Sequence, residues 1–259
     1  MDETSVLGGF VDPIKPFSPK KVLRFEKQSL LVVVSETRAL IAKQTALSFA
    51  SGALLGPVCD GFHSSHDVLH YKDPVLIQLD WIGYSLETCW WVPVLFGVAG
   101  VILGVSHPLL DEWRAGKPNQ QFARPSGGYD PNWALVLTCI GLFCLQYYLS
   151  GALESPLASQ TVLGVHSLDL VLFVYAVHHF LVFDCTIQGL FMASATAVCG
   201  PLIEIMLINQ FDLYEYSNPD FLGIPSWIPW VYFCGAPAVG NLGRKFWTDQ
   251  LKECSGKTF

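Results

Sequence analysis

Six stretches of nearly continuous apolar sequence dominate this chain of 259 residues: about 40–58, 90–110, 133–151, 161–183, 187–208 and 227–242. A helix needs roughly 20 mostly apolar residues to cross about 30 Å of hydrocarbon. Lipid offers no water to satisfy backbone N–H and C=O groups, so a stretch placed there has little choice but to be helical. The last stretch is the shortest and could gain a turn at either end. Composition agrees with this reading. The chain is 51% hydrophobic and 14% charged, with a mean hydropathy of +0.40, whereas soluble domains carry about 25% charged residues.

The basic residues orient these stretches. With the N-terminus in the cytoplasm and six crossings, Lys15, Lys20, Lys21, Arg24, Lys27, Arg38, Arg114, Lys117, Arg124, Arg244, Lys245, Lys252 and Lys257 all fall on the cytoplasmic side. Lys72 alone falls outside, and Lys43 sits in the first span, where snorkelling to the headgroups accounts for it. Such asymmetry is the positive-inside pattern. The expected fold is an all-α membrane protein, a bundle of six transmembrane helices with cytoplasmic N- and C-termini. A polar segment, 1–38, precedes the six-helix domain, 39–245, and a tail, 246–259, comes after it. The first 38 residues hold no apolar core with a small-residue cleavage site, so no removable signal peptide is expected. A net charge of −7 argues against a nucleic-acid partner.

Small residues at helical spacing mark candidate close contacts: Gly52 with Gly56, Gly100 with Gly104, and Ala236 with Gly240. Pro201 predicts a kink in the fifth span, and His107–Pro108 reads as the stop of the second. The eight cysteines include no C-x-x-C pair, which signals neither a zinc site nor a disulfide framework. Cys59 and Cys89 fall at one membrane boundary and are read as two thiols rather than a bridge. Cys185 and Cys254, at the other, are open to acylation.

Ionisable groups inside lipid are costly and each needs a reason. Asp169 and Glu204 could form a proton relay or ion site, but are read first as neutral carboxyls hydrogen-bonded between helices. His178 and His179 point about 100° apart on a helix and cannot easily share a metal. Neither a metal nor a cofactor is expected. No G-x-S-x-G, H-E-x-x-H, P-loop or dinucleotide fingerprint occurs. A small membrane enzyme or transporter using Asp169, Glu204, His166 and His178 is therefore the rival reading, and a binding protein the preferred one. In the third span Phe143, Gln146, Tyr147, Tyr148 and Ser150 suit either a flat apolar ligand with one or two hydroxyls or an interfacial aromatic belt.

Three motifs carry a resemblance. Trp90–Trp91–Val92–Pro93 opens a Gly-rich stretch that ends at Pro108 and Asp111. Phe183–Asp184 closes the fourth span, and Gly189 opens the fifth. The third motif comprises Tyr214, Tyr216, Pro219–Asp220–Phe221, Ser226–Trp227, Pro229 and Gly240–Asn241–Leu242–Gly243–Arg244. Together they resemble the insulin-induced gene (Insig) family of endoplasmic-reticulum sterol regulators. The resemblance implies a multi-pass protein of that membrane that is not an enzyme. It implies binding of an oxysterol and of sterol-sensing-domain partners, a Scap-like escort protein and HMG-CoA reductase. It assigns Asp184 to partner binding and Phe143 to the sterol-responsive region. Phe180 stands where the family often has Trp, and Ser167 near where a Gln would be expected, which bears on the sterol's identity. The expected ligand-binding set is Phe143, Gln146, Tyr147, Ser167 and Phe180.

Overall fold

The computed structural model describes residues 19–79, 84–115, 130–157, 160–162 and 164–256; of residues 19–36 it describes the backbone path alone. Lys15, Lys117, Arg124 and Lys257 lie outside the described residues. The chain divides into two units, Met1–Ala39 and Leu40–Phe259. The first contributes the opening turns of α1; the second holds the remainder of α1 and every later element.

The described residues form six helices: α1 (Pro19–Ser65), which begins in the first unit, and α2 (Val92–Ala115), α3 (Trp133–Leu157), α4 (Ser167–Phe183), α5 (Ile187–Asn209) and α6 (Ile228–Gly256), all in the second. Three of them, α2, α3 and α5, are long and apolar enough to cross a membrane. The described helix α4 is as apolar but only 17 residues long. Helix α6 is the common partner and packs on α2, α3, α4 and α5.

Glycine contacts explain how these helices approach. Gly52 of α1 faces Gly100 of α2, and Gly104 of α2 faces Gly243 of α6, so that a Cβ at any of these positions would meet the neighbouring helix. The small-residue spacing read from the sequence is thus a contact face between helices of one bundle.

Helix ends depart most from expectation. α2 does not stop at His107–Pro108 but continues to Ala115. Proline lacks the N–H that would serve the carbonyl four residues earlier, which here belongs to Gly104. The Gln44 side chain of α1 replaces it, donating through Nε2 to Gly104 O at 2.8 Å and to Gly243 O at 2.9 Å. His107 is buried and its Nδ1 lies 2.8 Å from Leu103 O. α5 likewise runs unbroken through Pro201. α6 extends to Gly256, well beyond the apolar run that ends at residue 242. Its added turns bring Glu253 to Lys43 at 2.7 Å, so the Lys43 ammonium is ion-paired rather than only snorkelled.

Residues 161–166 are not part of the fourth helix. Thr161–Val162 (β4) and Val165–His166 (β5) pair antiparallel, turning at Gly164 with φ +79°, a conformation open to glycine at no steric cost. Ser167 N donates to Gln160 O at 2.9 Å and closes the ribbon. Two other ribbons lie outside the helices. Val75–Leu79 (β2) pairs with Tyr84–Thr88 (β3). Leu69–Tyr71 (β1) pairs with Tyr214–Tyr216 (β6), Leu69 opposite Tyr216 and Tyr71 opposite Tyr214. In this last ribbon Leu69, Tyr71, Tyr214 and Tyr216 turn inward and are buried, the alternation expected of paired strands. It ties the connection after α1 to the connection after α5.

Candidate functional site

Two buried polar clusters stand at opposite ends of the bundle, and the expected ligand residues lie between them.

At one end, Arg244 of α6 is 1% exposed and bridges two carboxylates. Its Nε and Nη2 donate to Asp111 of α2 at 2.5 and 3.1 Å, and its Nη1 donates to Asp184, just past α4, at 2.9 Å. Asp184 accepts from Thr186 Oγ1 at 2.5 Å, and Thr186 in turn caps α5 by accepting from Gly189 N at 3.0 Å. Gln188 donates to Asp111 at 2.8 Å, and Asn241 donates to Phe183 O at 2.9 Å. The arrangement joins α2, α4, α5 and α6 through one guanidinium, whose planar fork suits two carboxylates at once. Asp184 is fully buried, which excludes a solvated cap at the helix end. A Cβ at Gly189 would collide with its carboxylate. The motif Gly240–Asn241–Leu242–Gly243–Arg244 therefore reads as one device: Gly240 admits His107, Asn241 ties to α4, Gly243 admits α2 and Arg244 is the counter-charge that both aspartates share.

At the other end, α5 presents Glu204 to tyrosines. Tyr232 donates to its Oε1 at 2.6 Å and Tyr216 to its Oε2 at 2.8 Å; the Tyr214 hydroxyl also reaches it. Asp60 of α1 accepts from Tyr71 at 2.7 Å. Both carboxylates border a cavity of about 380 Å³ between α2 and α5. Glu204 is thus hydrogen-bonded between elements, as read from sequence. Asp169 accepts from Ser226 Oγ at 2.7 Å. His166 lies 3.7 Å from Asp220, and His178 is exposed. Ser226 Oγ also donates to Asp220 at 3.0 Å, so Asp169 and His166 share one cluster, while Glu204 and the exposed His178 lie apart from it. Among the described residues no group of three or more His, Cys, Asp or Glu is placed to hold a metal, and no cysteine forms a disulfide. Cys89 Sγ lies 2.8 Å from Asp73 O.

The expected ligand residues divide. Phe143 and Tyr147 meet edge to face at 5.3 Å, and the Phe143 ring lies in van der Waals reach of Gly235 on α6. Phe180 meets Phe233 of α6 at 5.8 Å. Gln146 donates to Trp230 O at 3.1 Å, while its Oε1 is buried without a hydrogen-bond partner. The structure therefore brings Phe143, Gln146, Tyr147 and Phe180 to the seam of α3 and α4 with α6. Ser167 stands apart, at the start of α4 beside the β4–β5 ribbon. None of the five lines the α2–α5 cavity.

Sequence reasoning passes over Gln44, Asp60, Asp111, Gln188 and Arg244 as functional residues. In the sequence Arg244 counts as a basic residue closing an apolar run and as the last residue of a family-like motif, with no role of its own. Its signal is a cation set directly behind Gly240 and Gly243, inside close-packing spacing.

Fold and site together define a helical membrane protein whose buried polar groups serve its own helix–helix contacts at one end and a cavity at the other. The family model for insulin-induced protein (INSIG) matches residues 43–247, and the chain belongs to that family. The Insulin-induced gene 1 protein of Xenopus laevis is 29% identical over 211 residues, covering 82% of this chain and 74% of that one. The Danio rerio protein of the same name is 28% identical over 207 residues, covering 80% and 73%. The crystal structure of a mycobacterial Insig homologue from Mycobacterium vanbaalenii superposes with a TM-score of 0.55 at 18% identity, over 78% of this chain and 93% of that one. A cross-linked trimer of the same protein gives 0.56. At that identity the likeness speaks to the fold.

Proposed function

We propose that this protein is a sterol-dependent regulator in the endoplasmic-reticulum membrane, spanning it six times with both termini cytoplasmic. On this reading it binds an oxysterol at the seam of α3, α4 and α6, and the sterol-sensing domain of a partner such as a Scap-like escort protein or HMG-CoA reductase. Membership of the INSIG family supports the reading. The observation that carries the ligand site is Gln146 Oε1, a buried acceptor without a donor, flanked by Phe143 and Tyr147. An unsatisfied buried carbonyl costs about 1–3 kcal/mol, which a ligand hydroxyl recovers. The outward faces of α3 and α4 expose Leu137, Leu145, Tyr148, Val171 and Val174, a surface on which partner helices can close over a bound sterol. Ligand and partner then each raise the other's affinity. Asp184 supports partner binding indirectly, by holding the end of α4 against Arg244.

Co-purification in mild detergent, with and without added oxysterol, tests the function. Sterol-dependent capture of a sterol-sensing-domain protein is expected, and capture indifferent to sterol refutes it. Phe143→Ala, Phe180→Ala and Gln146→Leu should each weaken sterol-dependent capture more than Ser167→Ala, whose effect should stay within about 1 kcal/mol. Equal labelling of wild type and both Phe variants by a photoreactive sterol places the ligand elsewhere. Glycosylation acceptors set beside Lys72 and beside Asp212 should both be modified if there are six spans.

A further inference from the structure

The β2–β3 ribbon turns apolar side chains outward on both of its faces. Val75, Leu76 and Ile77 are consecutive, and they are 46%, 59% and 43% exposed. Successive residues of a strand point to opposite faces, so Val75 and Ile77 stand on one face and Leu76 on the other. Among the described residues no third strand joins the ribbon. Glu87 is the only charged residue in its two strands. That carboxylate is turned back toward the bundle, where Oε1 accepts from Tyr71 N at 3.2 Å.

The base of the ribbon is fixed where α2 begins. Thr88 and Cys89 are buried, Cys89 Sγ lies 2.8 Å from Asp73 O, and Val92 N donates to Cys89 O at 3.1 Å. Three residues therefore separate the ribbon from a helix long and apolar enough to cross a membrane. Among them Trp90 is 77% exposed, and an exposed indole at the end of such a helix marks the headgroup level. Val75 stands opposite Thr88 and Ile77 opposite Leu86, so the apolar run stays within about 7 Å of strand from that level. The headgroup layer on one side of a bilayer has a similar thickness, about 5–8 Å.

We propose that the β2–β3 ribbon is an interfacial anchor, lying in the headgroup layer on the side where α2 begins, with the lipid surface itself as its partner. A protein partner packed on one face would leave the other in water. A lipid interface covers Val75, Leu76 and Ile77 together, and with Glu87 held against Tyr71 N the run enters it without a charge. The depth is bounded from below as well. A two-stranded ribbon has outer edges whose backbone N–H and C=O groups meet no strand; hydrocarbon does not tolerate such groups, whereas the hydrated interface satisfies them. The anchor rests on the reading that the long apolar helices cross a membrane, and uses neither the sterol seam nor a sterol-sensing partner.

The test places a fluorescent amino acid, by stop-codon suppression in the full-length chain, at Leu76, at Ile77 or, as a reference, at Val198, which is 59% exposed at the middle of α5. Each protein is reconstituted into phosphatidylcholine vesicles and, separately, at one copy per lipid nanodisc. A nitroxide on acyl carbon 5 should quench both ribbon positions about twofold more than one on carbon 14, and the order should reverse at Val198. Iodide present on both sides should quench both ribbon positions far less than it quenches the free amino acid, in vesicles and nanodiscs alike. Iodide quenching equal to that of the free amino acid overturns the proposal. Shielding at only one of Leu76 and Ile77 also overturns it, as the mark of a protein on one face. Shielding lost in single-copy nanodiscs assigns the ribbon to a second copy of the chain and overturns the anchor too. Val198 open to iodide removes the membrane span and the anchor with it, whereas Val198 quenched from carbon 14 beside a ribbon open to iodide overturns the anchor alone.

Discussion

The two ends of this bundle bury the same kind of group and treat it differently. At the Arg244 end two aspartates share a guanidinium, and each is held by further donors from Thr186 or Gln188. At the Glu204 end two carboxylates receive only tyrosine hydroxyls, and one oxygen of Asp60 is left over. The first cluster contains a counter-charge that its two carboxylates share, whereas the second borders a cavity and contains none. A network that holds its own cation fixes helices in place, because removing that cation strands desolvated carboxylates. An unsaturated one beside open space has capacity for a guest. Buried acids in a membrane protein are therefore to be judged by what remains unpaired.

The sharpest way to break this contrast is Arg244→Leu. It leaves Asp111 and Asp184 buried without their cation, and a loss of about 3–5 kcal/mol is expected, read as a collapsed elution profile or a large fall in melting temperature. Asp184→Asn keeps the shape and the Thr186 contact and should lose less. If Arg244→Leu melts like wild type, the network does not lock the helices.

Gln44→Leu comes next. It strips the donor from Gly104 O, orphaned by Pro108, and from Gly243 O, and should cost about 1–3 kcal/mol. Restoring a normal helical residue through Pro108→Ala should recover part of that loss, because the backbone N–H then serves Gly104 itself. Absence of any recovery in the double variant sinks this account of how α2 passes Pro108.

At the opposite end Tyr232→Phe removes one donor of several from Glu204 and should cost only about 1 kcal/mol. A loss as large as that of Arg244→Leu would erase the distinction between the ends.

The smallest effect is a pH response in the β1–β6 ribbon. The Lys72 hydrogen bond holds the Glu215 carboxyl below its usual range, and the Glu215 hydrogen bond raises the Lys72 ammonium. A carboxyl lowered by folding stabilises above its unfolded pKa, about 4.3, and that stabilisation is lost as pH falls through the lower folded value. A lysine raised by folding stabilises below about 10.4, and this is lost as pH rises through the higher folded value. Between those limits the contact is fully present. Protection of the Leu69–Tyr71 amides, taken relative to the intrinsic exchange rate at each pH, should therefore fall in acid and again in strong base. Glu215→Gln should flatten both limbs, and unchanged limbs would rule the ion pair out as their source.

The positions of the helices were largely legible in the sequence, because the cost of placing a residue in lipid is a sum over its near neighbours along the chain. The apolar runs at 90–110, 133–151 and 187–208 recur as α2, α3 and α5 with ends moved by at most six residues. The small-residue spacings were legible for a similar reason, since a glycine row on a helix is a surface whatever packs on it. The ribbons were not. β1 and β6 are separated by more than 140 residues, and the inward tyrosines of each are too few to set a period alone.

The pairing of charges belongs to tertiary structure alone. Arg244 closes an apolar run and counts as one more cytoplasmic cation until α2 and α4 are brought beside α6; then it is the counter-charge of Asp111, 133 positions away, and of Asp184, 60 away. Pro108 reads as a stop until Gln44, 60 positions before the orphaned Gly104 carbonyl, supplies the missing donor. Hydropathy accumulates locally and can be summed from the sequence. Whether a buried polar group is satisfied depends on atoms within about 3 Å, and only the folded bundle decides which atoms those are.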